Sequence, residues 1–154
     1  MNMKKHKVMK YFYVVIGILF IIAICSIRHI KIDGNSMMPN YTNNEKIWVK
    51  KKFLNENYNR FDIIIAKNPL AQNEEIIKRV MALPNETIYA KNGIIYVNGK
   101  RLKEPMKICG ETKNFGSFKL TDDEYFLLGD NRDNSTDSRN YGPIKIKQIH
   151  AKKY

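Results

Sequence analysis

The 154-residue sequence has only two cysteines, three histidines, one tryptophan and five prolines, and no acidic residue before Asp33. Each shortage excludes something. Two cysteines cannot build the disulfide framework of a small secreted scaffold. Cys25 lies inside an apolar run and Cys109 far beyond it, so two unpaired thiols are expected. His6, His29 and His150 have no His, Cys or acid at ligand spacing, which leaves no metal-binding motif. No cofactor is expected. With 44% hydrophobic residues and few glycines and prolines, the chain is neither disordered nor collagen-like. It has no internal repeat, no low-complexity linker and, after residue 30, no long stretch with a helical period. Its length allows one domain.

The missing early acids make the charge uneven. The net charge is +12, and half of it comes from Lys4, Lys5, Lys7, Lys10, Arg28 and Lys31, which no acid opposes. Between these cations, residues 11–27 (YFYVVIGILFIIAICSI) carry no charge. As a helix at about 1.5 Å per residue they would extend about 25 Å. That is short for a hydrocarbon core of about 30 Å, but Lys10 and Arg28 can snorkel outward, and Tyr11, Phe12 and Tyr13 sit where an aromatic belt belongs. A cleaved secretory signal would have a shorter apolar region and small residues at the cut. A core helix apolar on every side would need a larger domain around it than the remaining chain supplies. The expectation is a single N-terminal transmembrane helix over residues 11–28. The four preceding lysines put residues 1–10 in the cytoplasm and leave residues 29–154 as an extracytoplasmic domain.

That domain is rich in short strand signals: Lys46–Lys51, Phe61–Ala66, Ile76–Leu83, Thr87–Ala90, Ile94–Val97 and Tyr125–Leu128 are β-branched or aromatic runs bounded by Asn, Gly, Pro and Asp. Asn92-Gly93 is a two-residue hairpin signal, because both central residues of a type I′ turn need positive φ, and Asn98-Gly99 repeats it. A mainly β domain with a coiled antiparallel sheet is expected.

Three stretches bear on chemistry. GNSMMP (Gly34–Pro39) holds a serine in a turn. IIKRVMALPNE (Ile76–Glu86) breaks an apolar run with Lys78 and Arg79. GDNRDNSTDSRNYG (Gly129–Gly142) interleaves Asp130, Arg132, Asp137 and Arg139 with Asn131, Asn134, Ser135 and Ser138, a pattern suited to a buried network of ion pairs and hydrogen bonds. Read singly, they are a turn, an edge lysine and a polar loop. Together, in this order and behind an N-terminal anchor, they resemble type I signal peptidases, serine proteases that remove signal peptides from exported proteins. The resemblance covers nearly the whole chain and is closest to the short, single-span Gram-positive form.

The resemblance implies that Ser36 is the nucleophile and Lys78 the general base. A serine needs an adjacent base, and a lysine serves only when its amine is neutral. Burial among residues such as Ile76, Ile77 and Val80 would lower its pKa. It further implies that Ser135 hydrogen-bonds and orients the lysine amine, that Asp137 and Arg139 form a supporting ion pair, and that Asp130 holds the site together with Arg79. The oxyanion hole would use the Ser36 backbone N–H. A second, hydroxyl donor that some relatives carry two residues earlier is absent, since Gly34 stands there. Asn40 replaces the usual Thr after the proline.

Ser36 is nine residues past Ile27, a reach of about 30 Å when fully extended. It therefore works close to the membrane surface, which favours a membrane-embedded substrate. The implied partners are signal peptides of preproteins, the lipid bilayer and the secretion translocase, with no nucleic acid. The substrate would lie as an added strand with small residues at the first and third positions before the cut. Met37 and Ile77 are candidates either for the first pocket or for the core alone. Ile47–Phe53 reads better as a strand with a core Trp48 and solvated lysines than as a lipid-contacting face. Three other readings compete. An inactive relative serving as a membrane-anchored binding subunit would lack Ser36 or Lys78. A repressor-type autoprotease would carry a DNA-binding module in place of the anchor. A basic nucleic-acid binder would show a recognised module.

Overall fold

A computed structural model describes residues 8–18, 26–52, 56–71 and 73–154. Residues 8–18 form a helix, α1, with its apolar side chains exposed. Among the described residues no helix is long and apolar enough to cross a membrane. Residues 19–25, the middle of the apolar run and the site of Cys25, lie outside them.

Among the described residues eleven strands follow. A seven-stranded sheet has the order β1 (Ile27–Lys31), β2 (Lys46–Lys51), β11 (Ile149–Lys153), β3 (Ile63–Lys67), β4 (Glu75–Ala82), β9 (Glu124–Leu128), β10 (Ile144–Lys145). A four-stranded sheet has the order β7 (Lys100–Arg101), β6 (Ile94–Val97), β5 (Thr87–Lys91), β8 (Phe115–Lys119). Every strand pairing within these sheets is antiparallel. The expected hairpins form: Asn92 and Gly93 both have positive φ between β5 and β6, as do Asn98 and Gly99 between β6 and β7.

β3 explains why its sequence runs apolar without alternation. Ile63 and Ile65 face one core cluster, with Ile32, Met37, Ile47, Val49 and Ile77, while Ile64 and Ala66 face another, with Tyr58, Val80, Tyr125 and Leu127. Both faces are buried. A third cluster lies between the sheets and joins Met81, Phe126 and Leu128 to Ile88, Ile95 and Val97.

Three sequence expectations shift. Ile27 and Arg28, assigned to the anchor, are the first two residues of β1 and pair with Lys50 and Val49. Phe61 holds φ +71 and stands before the strand, which begins at Ile63. Trp48 is not in the core. On β2 it alternates outward while Ile47 and Val49 point in, and it packs on His29 with 53% of its surface exposed.

Candidate active site

The turn after β1 carries Ser36. Gly34, at φ +85, lets the chain reverse, and its N–H donates to Asn43 Oδ1 at 3.0 Å. The turn closes through Met38 N–H to Asn35 C=O and Tyr41 N–H to Met37 C=O. It is then fastened from outside. Asn131 donates its backbone N–H to Ser36 C=O at 3.0 Å and its side-chain amide to Asn35 C=O at 3.2 Å. The Ser36 N–H has no partner among the described residues.

Lys78 comes to Ser36 from β4. Asn68 N–H donates to Glu74 C=O and Val80 N–H to Asp62 C=O, so even-numbered residues of β4 bond β3. The main chains of Glu75 and Ile77 therefore face the other way, along an edge that β9 does not cover, since its pairing starts at Arg79. Lys78 Nζ lies at this edge, donating to Ile77 C=O at 3.0 Å and to Ser36 Oγ at 2.9 Å. The side chain is 4% exposed. Burial disfavours the ammonium and pushes its pKa down to about 8, against an opposing pull from Asp137.

Around this pair the polar stretch forms buried ion pairs. Arg79 binds Asp130 in a fork, Nε to Oδ1 at 2.7 Å and Nη2 to Oδ2 at 2.5 Å. Asp137 caps α2 (Ser138–Tyr141), accepts from Arg139 Nε at 2.8 Å and Nη2 at 2.9 Å, and holds Gly129 N–H at 3.0 Å. The hydroxyl of Tyr141 is buried without a partner, and burial, then Asp137, raises its pKa above the usual phenol value.

One family-implied detail differs here, and of the two pocket candidates one is core alone. Ser135 Oγ makes no hydrogen bond to Lys78; it is buried without a partner. It packs instead against Gly129, where an added Cβ would fall 2.2 Å from Ser135 Oγ and 2.5 Å from Ser36 O. A side chain at residue 129 would therefore force the serine turn and the polar loop apart. Met37 is fully buried in the core beneath the turn. Ile77 belongs to the same cluster but also lines the cleft.

Four further residues contribute, three of them in the polar loop expected to form a buried network. Asn131, Arg132 and Ser138 tie the loop to its surroundings: Arg132 Nε donates to Gly129 C=O, its other nitrogens reach Glu104 and Thr112, and Ser138 Oγ accepts from Leu127 N–H. Asn40, read only as a departure from Thr, donates to Asp130 Oδ2 at 2.8 Å and to Lys107 C=O at 2.7 Å. The longer amide reaches two elements at once. The sequence signal for the three loop residues was the interleaving of Asp and Arg with Asn and Ser in one stretch, whereas Asn40, in the serine turn, carried none.

Beside Ser36 and Lys78 runs a cleft of about 240 Å³, floored by Ile30, Ile32, Ile65 and Ile77. Its second wall is the outer edge of β1. Lys51 N–H to Ser26 C=O and Ile32 N–H to Glu45 C=O fix the pairing with β2, so the main chains of His29 and Lys31 face away from β2. Among the described residues, no group of three or more His, Cys, Asp or Glu side chains is placed to hold a metal ion.

Comparison with known proteins agrees. Residues 5–154 match the family described as signal peptidase, peptidase S26. The chain is 37% identical to a signal peptidase I of Bacillus amyloliquefaciens, over 77% of this chain and 69% of that protein. It is 33% identical to signal peptidase I V of Bacillus subtilis (strain 168), over 91% of this chain and 94% of that one. The crystal structure of a signal peptidase I from Enterococcus faecalis superposes with a TM-score of 0.51 at 29% identity, covering 61% of this chain and 94% of that chain. With a matching sheet, a serine turn and a family match spanning almost its full length, this chain belongs to the type I signal peptidases, endopeptidases that cleave the signal peptides of preproteins.

Proposed function

We propose that the chain is a membrane-anchored signal peptidase that cuts by a Ser36–Lys78 dyad. The observation that carries this reading is the 2.9 Å contact between Lys78 Nζ and Ser36 Oγ, with the amine buried. At a pKa of about 8, about one lysine in five is neutral near pH 7.4, against about one in a thousand at the ordinary value. The neutral amine accepts the Ser36 proton as Oγ attacks the scissile carbonyl, and returns a proton to the leaving amine. Water then enters with the same base and releases the acyl group from Ser36.

The unused N–H of Ser36 is the donor for the developing oxyanion. Gly34 supplies no second donor. A side chain there would meet no atom within 4 Å, but the residue's φ of +85 favours glycine. The substrate lies in the cleft as a strand between two open edges, bonding the main chains of Lys31 and His29 on one side and Ile77 and Glu75 on the other. Side chains one and three residues before the cut then face the isoleucine floor, which has room for small groups only.

The apolar run around residues 11–27 anchors the chain, with the N-terminus cytoplasmic and the remainder outside. The exposed apolar surface of α1 supports this, since no element among the described residues covers it. β1 starts directly after that run and leads to Ser36, which sets the site close to the bilayer. Reconstitution of wild type, Ser36→Ala and Lys78→Met in liposomes with a preprotein tests the dyad. Both variants should lose processing, and processing at the wild-type rate by either would refute the assignment.

A further inference from the structure

The isoleucine floor of the cleft ends in charge. On β1, Ile32, Ile30 and Arg28 share one face, because alternate residues of a strand point the same way. Glu75 and Ile77 share the matching face of β4. At the end of the cleft away from Ser36, Arg28 Nη2 donates to Glu75 Oε1 at 3.2 Å, and His150 Nε2 on β11 lies 2.8 Å from the same oxygen. Glu75 lines both the cleft and a larger hollow of about 480 Å³, where His150, Lys67 and Gln148 also lie. Arg28 has donors to spare: its Nε is buried without a partner.

The strand period assigns this cluster a place on the substrate. Positions one and three before the cut face the floor near Ile32 and Ile30, and the next position on that face, the fifth, comes level with Arg28. The substrate's membrane-embedded part enters from this end, because β1 begins there, directly after the apolar run. We propose that Arg28, Glu75 and His150 form a polar subsite for the fifth residue before the scissile bond, selecting an uncharged amide or hydroxyl side chain over a bulky apolar one.

The charges explain the choice. A neutral hydrogen-bonding side chain can donate to Glu75 or accept from Arg28 without unbalancing the pair. An acidic or basic one meets a like charge as well as an opposite one. A leucine strips water from the ion pair and returns no hydrogen bond. The adjoining hollow has room for a side chain as long as glutamine. The subsite also resists the substrate's apolar segment at a fixed distance from Ser36, so it helps to fix where the cut falls.

This inference rests on the reading of the cleft as the bed of an extended substrate. Peptide substrates carrying Gln, Leu or Glu at the fifth position test it with the full chain in detergent micelles, against wild type, Glu75→Gln and the double variant Arg28→Leu/Glu75→Leu. Wild type should prefer Gln over Leu by roughly tenfold in kcat/KM, mostly through KM, a modest ratio because the cluster is half exposed. In the double variant the ratio should fall to about one. In Glu75→Gln, Arg28 loses its counter-charge, and the Glu peptide should gain roughly tenfold relative to the Gln peptide. This single, near-isosteric change keeps the test alive if the double variant fails to fold. Unchanged ratios in a folded variant would overturn the subsite. A further peptide with Leu in place of Ala at the third position probes the bed itself. It should be cut at least tenfold more slowly by every form, and equal cutting would bring down the bed and the subsite together.

Discussion

The two sheets solve the problem of a stable interior differently. The four-stranded sheet buries hydrocarbon: Ile88, Ala90, Ile95 and Val97 pack with Phe115, Phe118 and Phe126, and none of its strands carries a buried charge. Its two hairpins turn on two residues each, and only β8 returns over a longer connection to pair Thr87 with Lys119. The catalytic side buries Lys78, Arg79, Asp130, Arg132 and Asp137. Its bonds join residues 42, 51, 90 and 96 positions apart. A packed apolar core is stabilised by the area it removes from water. A buried ion pair adds little over an apolar replacement, but losing one partner is costly. The catalytic side thus gives up stability for position, and the hairpin side supplies the rigid backing.

Lys78 is where this contrast is sharpest, and its removal has the largest expected effect. Lys78→Met should lower kcat by at least about 10³-fold, and combining it with Ser36→Ala should cost little more, because the two act as one unit. Yet the same variant should be more stable. The folded lysine titrates at about 8 and the unfolded one near 10.5, so below about pH 8 the fold carries the full cost of a buried ammonium. That cost fades as pH rises from about 8 to 10.5. The gain from Lys78→Met, at most about 3 kcal/mol, should be greatest below pH 8 and vanish by about 10.5. Urea melts across this range check it. In wild type, kcat/KM should rise with pH and level off above about 8; a profile flat from 6 to 9 would break the comparison.

Asp137→Asn comes next. Arg139, 11% exposed, would lose its carboxylate partner, and Gly129 N–H would lose one charged acceptor. A loss of about 3–5 kcal/mol is expected. The change should also reach the rate. Asp137 holds the Lys78 pKa up, so removing its charge should move the rising limb of the pH profile to lower pH. A purely structural aspartate would destabilise the fold and leave that limb in place.

How far the sequence could be read follows the same division. The β5–β6 hairpin was legible because Asn92-Gly93 is a local signal with a local cause. The strands missed lacked one: β1 interleaves Arg28 and His29 with its isoleucines, β8 contains Gly116, and β11 mixes His150 with lysines. Their strand state comes from pairing with distant partners. The site was legible as types of residue, through three motifs and the family they resemble. Their geometry was not. Nothing in the sequence says that Ser135 packs on Gly129 without reaching Lys78, that Met37 is wholly core, or that Asn40 bridges Asp130 and Lys107. Each of these depends on elements brought together from across the chain.

On the hairpin side, Ile95→Ala should remove about 2–5 kcal/mol, because Ile95 is 1% exposed and its loss leaves a cavity between the sheets. Melting experiments would show the loss. The pH profile of kcat/KM should keep its midpoint in the folded fraction, since no titrating group of the site touches this cluster. A shifted midpoint would mean that the two sides are coupled more tightly than their chemistry suggests.

The smallest expected effect tests the turn itself. Gly93 holds φ +75 at the second central position between β5 and β6, next to Asn92 at φ +53. An alanine there would keep the register of the hairpin but place a Cβ in a conformation that costs about 1–2 kcal/mol for an L residue. Space is not the obstacle: the added Cβ would meet Glu111 Oε1 at 3.4 Å, ordinary contact with the end of a flexible side chain. Gly93→Ala should therefore lower stability by about 1 kcal/mol with activity unchanged, as read by thermal melts alongside preprotein processing. Replacing Asn92 by Gly in the same background should not recover the loss, because the strain belongs to residue 93 alone. A recovery would locate the cost in the turn as a whole, and a loss of activity would show that the backing sheet does more than hold still.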